Sequence, residues 1–382
     1  MAIHCSHILK PIFLFLLSML LLLSWGACGS PSAKIENIEG DTIEMHHSSL
    51  LTIVECEGYT VADVKNPWNG NLLKRYLLLP RNSGIPEGLP SGVLLRVPLE
   101  RAVVFSGVHA SLLAELGVAG VIGGVCDARY MYCDAVKERL AAGEAVDCGS
   151  SLNVNSERIM QVAPDAIFVL PYENGGYGKL ENMKFPLVEC ADYMESSPLG
   201  CAEWVRFYGR LVGMAAKSDS LFNAVCREYE GLAARVKECS RRPELLCELK
   251  SSSAWYVPGG ASTVGRLYSD AGADYIFSDY KVSGSVPLSY ETVLDKAADA
   301  DIWLIKYNRA TDISMETMLA DFQGYSHFKP FKEGMVYGCN THNRNIFEET
   351  SFHPERLLKE LVALFHPALL PEYKAMYYEK IR

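Results

Sequence analysis

The chain has no excess of positive charge, no cysteine pair at CxxC spacing and no HxH or HxxxH run. It also has no GxGxxG loop, no internal repeat and no low-complexity tract. Each absence excludes something. A formal net charge of -10 cannot supply the field that grips a phosphate backbone, so nucleic acid is not an expected partner. Without paired histidines or cysteines, no preorganised site for a bare zinc or manganese ion is legible, and no metal ligand is assigned. A nucleophile elbow, a triad order and a phosphate loop are also missing. Gly178 and Lys179 end a P-loop-like string, but Glu173 stands at its first glycine and Leu180 at its Ser or Thr. No catalytic residue is assigned, and the chain is not expected to be an enzyme.

What is present is a globular composition, 49% hydrophobic and 21% charged, over 382 residues. That length suits two domains, each with its own core. Lys10, an apolar run from Ile12 to Leu23, and Gly26 and Ala27 before Cys28 make a signal-peptide pattern, 1–27. The run is short for a permanent span, which needs about 20 apolar residues. Leu23, Ser24, Trp25, Gly26, Ala27, Cys28, Gly29 and Ser30 resemble a bacterial lipobox, which makes Cys28 the lipidated residue and 28–34 a tether. Trp25 sits where a lipobox has a smaller aliphatic residue, so an ordinary secretory signal is the alternative. Ten further cysteines remain; they read as small buried hydrophobes, with a Cys126–Cys133 pair as the alternative.

From Ile35 to Leu79 the pattern is β-rich, and a Gly- and Pro-rich loop from Pro80 to Gly92 follows. Strand and helix then alternate: Arg101 to Phe105, a helix from His109, Val118 to Val125, Ser156 to Val162, Ala166 to Leu170, Pro186 to Glu189. Such alternation predicts a parallel sheet covered on both faces, with ligands beyond the carboxyl ends of its strands. A helix capped by Ser218 and reaching Cys239 has its apolar stripe at Phe222, Val225, Tyr229, Leu232 and Val236. Alternation resumes after Pro243, with strands at Leu245 to Leu249, Trp255 to Val257 and Ile302 to Ile305. The expected fold is α/β, two Rossmann-like lobes with parallel-rich sheets bridged by one long α-helix. The boundaries are 35–217 for the N-terminal lobe, 218–239 for the interlobe helix and 240–382 for the C-terminal lobe.

Asn155, Ser156, Glu157, Arg158 and Ile159 lead to Ala163, Pro164, Asp165 and Ala166. Leu288, Ser289, Tyr290, Glu291, Thr292, Val293 and Leu294 lead in the same way to Ala300, Asp301 and Ile302. In this order and spacing the chain resembles the periplasmic binding proteins for vitamin B12, ferric siderophores and heme, in which one rigid helix bridges two lobes. The resemblance spans nearly the whole mature chain. It implies a lipoprotein on the periplasmic side of the membrane that delivers a small-molecule metal chelate to an ABC permease and its ATPase. It also implies that Glu157 and Glu291, one on each lobe, dock against permease arginines. The chelate is cargo, no resident cofactor is expected, and the protein is expected to act as a monomer.

A flat chelate needs aromatic faces and a few polar anchors. The expected ligand-binding residues are Ser106 and His109 on the first rim, Arg129 and Tyr130 on the second, and Tyr172, Asn174 and Tyr177 on the third. The second lobe adds Trp255, Tyr256, Ser262, Tyr280 and Lys281. The alternative is an exported chelatase-like enzyme that pulls metal from heme using His109 and a cleft glutamate.

Overall fold

The structure is a computed structural model, described here for residues 38–173 and 175–382. The expected signal peptide, the expected tether with Cys28, and Asn174 lie outside the described residues.

The first layer is a five-stranded sheet in the order Asp41–Ile43, Leu51–Cys56, Tyr59–Lys65, Leu72–Pro80, Val93–Val97. Its pairs are antiparallel except the last, which is parallel. The two-residue turn between Cys56 and Tyr59 places Gly58 at φ +83°, a conformation glycine adopts without a Cβ penalty. Tyr76, fully buried, ties this layer to the next. Its hydroxyl accepts from the Glu189 N–H at 2.7 Å and donates to the Leu187 carbonyl at 3.1 Å.

Glu189 ends the edge strand of the first-lobe sheet, whose order is Leu187–Glu189, Ala166–Val169, Ala102–Val104, Ile122–Val125, Val146–Asp147, all parallel. Ala102–Val104 and Ala166–Val169 are buried at every position, so they read as continuous apolar runs rather than alternating ones. The second-lobe sheet has the order Asp274–Tyr275, Glu244–Cys247, Ile302–Tyr307, Val336–Asn340, Glu379–Lys380, parallel but for its last pair. Beside it lies a separate antiparallel sheet of Lys250–Ser251, Ala254–Pro258 and Ser285–Leu288.

The long helix runs Ala215–Lys237, 23 residues, or about 34 Å at 1.5 Å per residue. Phe222, Val225, Tyr229, Leu232 and Val236 are buried along one side, as their spacing predicts. Its start differs from expectation: Ser218 is inside the first turn, and its hydroxyl donates back to the Ala215 carbonyl at 2.9 Å instead of capping. The preceding helix ends at Leu211, and Gly213 at φ +72° turns the chain. The new helix therefore begins three residues early. Close packing of the two helices depends on Gly209, where a Cβ would lie 2.0 Å from the Ser218 hydroxyl oxygen.

Two buried carboxylates hold the loop 46–50 against the helices. Glu203 accepts from the N–H groups of His46, His47 and Ser48 at 2.8–3.0 Å. Glu195 accepts from Ser48, Ser49 and Leu50 and from the Trp204 indole. A buried carboxylate costs several kcal/mol unless donors surround it, and here they do.

Candidate functional site

The site is built where strands end. Ala102–Val104 runs into Ser106, whose hydroxyl accepts from the Val108 N–H at 3.2 Å and caps the helix Gly107–Glu115. The first turn of that helix carries His109, only 3% exposed. Its Nε2 lies 2.9 Å from Asp192 Oδ1, and the Tyr208 hydroxyl donates to the same oxygen at 2.5 Å. Burial works against the imidazolium, yet Cys190 and Asp192 together raise the His109 pKa well above its ordinary value. Burial also raises the Cys190 thiol. Asp192 engages one ring nitrogen of His109 at the cavity wall, and the ligand atoms of His109, Cys190 and Asp192 lie within 4.8 Å of one another.

Between the lobes lies a cavity of about 520 Å³. Val108, Leu170 and Tyr193 reach it from the first lobe, and Val264, Leu267, Tyr268 and Lys306 from the second. Ile346 and Phe347, on the helix Ile346–Thr350, close it from the side. Its wall is mostly apolar in area, with Ser106, His109, Asp192, Thr263 and Lys306 among its polar groups. Lys306 is paired with Glu248. Tyr268 is 2% exposed, and its buried hydroxyl has no hydrogen-bond partner among the described residues. An unmade hydrogen bond at a buried hydroxyl costs about 1–3 kcal/mol.

Three sets of bonds cross from lobe to lobe around the cavity. The Thr263 hydroxyl donates to the Glu195 carbonyl at 2.7 Å. The Glu348 carboxylate accepts from the Ser111 hydroxyl and the Tyr132 N–H, both at 2.9 Å. His353 bridges Glu115 and Glu355, each at 2.8 Å.

The expected ligand residues fall into three groups. Ser106 and His109 line the cavity, and Ser106 also joins Tyr130 in a shallower groove of about 280 Å³ with Tyr132, Asn308 and Arg344. Arg129 is exposed and stacks on Tyr130, its guanidinium carbon 4.6 Å from the ring centre. Tyr172 and Tyr177 line a separate first-lobe pocket of about 450 Å³ with Phe105, and the Tyr177 hydroxyl donates to Glu189.

The second-lobe set lies away from the interlobe cavity. Trp255 is fully buried, its indole N–H donates to the Cys247 carbonyl at 2.9 Å, and its ring stacks 5.6 Å from Trp303. Tyr256 points to the opposite, exposed face of the same strand. Ser262 is a helix cap: its hydroxyl accepts from the Gly265 N–H and donates to the Gly259 carbonyl. Tyr280 is half-buried beneath Lys296, and exposed Lys281 donates to the Ser278 carbonyl. None of the five lines the interlobe cavity. The cause is topological: Trp255 belongs to the side sheet, so the loop after it is not on the rim of the parallel sheet. Lys306, near the end of a true parallel strand, obeys the rim rule. Phe347 and Tyr268 carry no local signal, because helices bring them in from the side.

Glu157 and Glu291 are both exposed in first helical turns, on Ser156–Val162 capped by Asn155 and Tyr290–Ala297 capped by Ser289. Neither makes an ion pair among the described residues, and each stabilises its helix through the dipole. All ten cysteines of the described region are free, including Cys126 and Cys133. No helix among the described residues is long and apolar enough to cross a membrane.

An uncharacterized lipoprotein of Methanocaldococcus jannaschii is 26% identical over 344 residues, 83% of this chain and 81% of that one. Among solved structures, an ABC-type Fe3+-hydroxamate transport protein from Saccharomonospora viridis aligns at TM-score 0.56 and 15% identity, over 70% of this chain and 94% of that one. A periplasmic heme-binding protein from Pseudomonas aeruginosa aligns at TM-score 0.55 and 15% identity, over 74% and 98%. At such identities the likeness is one of fold, two lobes bridged by a long helix. Residues 103–341, most of both lobes, match the periplasmic binding protein family, and the chain belongs to that family.

Proposed function

We propose that this protein is the solute-binding component of an ABC importer and that it carries a metal chelate, a cobalamin, ferric siderophore or heme, in the cavity between its lobes. The observation that carries this reading is a cavity of about 520 Å³ walled from both lobes, apolar over most of its area with polar side chains such as Ser106, Thr263 and Lys306 set into it, a size suited to a small-molecule ligand. An apolar wall with polar groups set into it suits a ligand that has both apolar and polar faces. The chelate is cargo and leaves unaltered; no resident cofactor enters the reading. Chelatase chemistry through His109 is disfavoured because Asp192 occupies its Nε2 and the ring is buried.

Glu157 and Glu291 stay the proposed permease contacts: they are exposed, unpaired and fixed on separate lobes, so charge pairing with a permease would report the relative placement of the lobes. Lipid anchoring through Cys28, export to the periplasmic side and a monomeric state complete the proposal. The test is to titrate the purified protein with cobalamin, hemin and a ferric hydroxamate, following ligand absorption and heat. Saturable binding of one equivalent of one class, with the ligand recovered intact, supports the reading. Failure of all three classes, or turnover of the ligand, refutes it.

A further inference from the structure

Away from the cavity, three side chains from two distant parts of the chain converge beside the long helix. Cys226 and Glu230 stand one helical turn apart on Ala215–Lys237, so both project from one side. His47 comes from the loop before the second strand, and its Nε2 lies 3.5 Å from Cys226 Sγ and 3.9 Å from Glu230 Oε1. The three donor atoms lie within 4.8 Å of one another.

These separations match a first coordination sphere. Tetrahedral zinc, with bonds of about 2.3 Å to sulfur and about 2.0–2.1 Å to nitrogen, sets its sulfur and nitrogen ligands about 3.6 Å apart and its nitrogen and oxygen ligands about 3.4 Å apart. The observed distances need only small side-chain rotation to reach them. His47 is held for the role at both ends: Glu203 accepts its backbone N–H at 2.8 Å, and its ring packs edge-on against Phe222 with centroids 6.0 Å apart. Glu230 is 60% exposed at its side chain, which leaves the fourth vertex open to water. A thiolate and a carboxylate would neutralise a divalent ion, and the mixed soft and borderline donor set selects zinc, cobalt or nickel over magnesium or calcium.

We propose that His47, Cys226 and Glu230 form a binding site for a borderline divalent transition metal, zinc foremost, which clamps the N-terminal loop to the interlobe helix. The site is independent of the chelate cavity. Histidine and cysteine spacing along the chain could not reveal it, because 179 residues separate His47 from Cys226.

The test uses purified full-length protein stripped with a chelator and titrated with Co2+ and with Zn2+. One equivalent of Co2+ should produce a thiolate-to-cobalt charge-transfer band, and Zn2+ should raise the melting temperature. C226S should abolish the band, and the surface substitution E230Q, which leaves packing untouched, should weaken Co2+ affinity at least tenfold. No band in the wild type, a band of unchanged intensity in C226S, or an E230Q affinity equal to wild type would each overturn the proposal.

Discussion

His353 Nε2 lies 2.8 Å from Glu115 Oε2, joining the cap of the C-terminal helix Pro354–Phe365 to the last turn of the first-lobe helix Gly107–Glu115. Burial disfavours the His353 imidazolium, but hydrogen bonds to Glu115 and Glu355 outweigh it and hold the pKa at about 9, against an ordinary 6.5. Glu115 is also buried in part, yet His353 lowers its pKa.

The pH dependence follows from the raised histidine. Its contribution to stability is complete below pH 6.5 and is lost as pH rises through about 9. The lowered Glu115 contributes above its ordinary value near 4.5 and loses that contribution as pH falls below it. Thermal melts should therefore show stability declining from pH 6.5 to 9, and H353Q should flatten that limb. An unchanged slope in H353Q would place the titration elsewhere.

Removing the orphan hydroxyl should separate stability from binding. Y268F deletes a buried group that makes no hydrogen bond, so the ligand-free protein should melt at the same temperature or higher, with a gain of up to about 3 kcal/mol. Chelate affinity should be unchanged, because the hydroxyl is shielded from the cavity. Loss of stability in Y268F would show that the hydroxyl has a partner in the folded protein.

Reversing the two exposed glutamates should cut delivery without touching capture. E157K and E291K lie on helix surfaces outside the cavity, so chelate affinity should stay within twofold while uptake by cells is lost. A large drop in affinity would show that these residues serve the ligand.

Trp255 should behave as a core residue. W255A removes a ring stacked on Trp303 and should destabilise the protein by about 3–5 kcal/mol in denaturant melts, with binding per folded molecule unchanged. A selective loss of binding at full stability would restore Trp255 to the cleft.

Much of the framework was legible because local rules and tertiary packing agree. Ser156–Val162 has a cap at Asn155 and a proline just past its end, so both boundaries show in the sequence. The long helix was legible from its stripe, though Ser218, a good cap by residue type, lies inside it because the turn at Gly213 comes first. Ser106, His109 and Tyr130 were legible as rim residues because they follow parallel strands. Trp255 was not, since a short apolar run looks the same in a side sheet as in a parallel core. Tyr268 and Phe347 reach the cavity from helices whose direction depends on packing across the whole second lobe. No local pattern encodes that.

The central claim is that the interlobe cavity holds the ligand, and filling it is the most direct test. Val264 lines the cavity and is not deeply buried, so V264W places an indole in the space without opening the core. In equilibrium titrations with whichever chelate binds the wild type, V264W should lose at least 100-fold in affinity while melting within a few degrees of wild type. Wild-type affinity in a folded V264W protein would contradict the account.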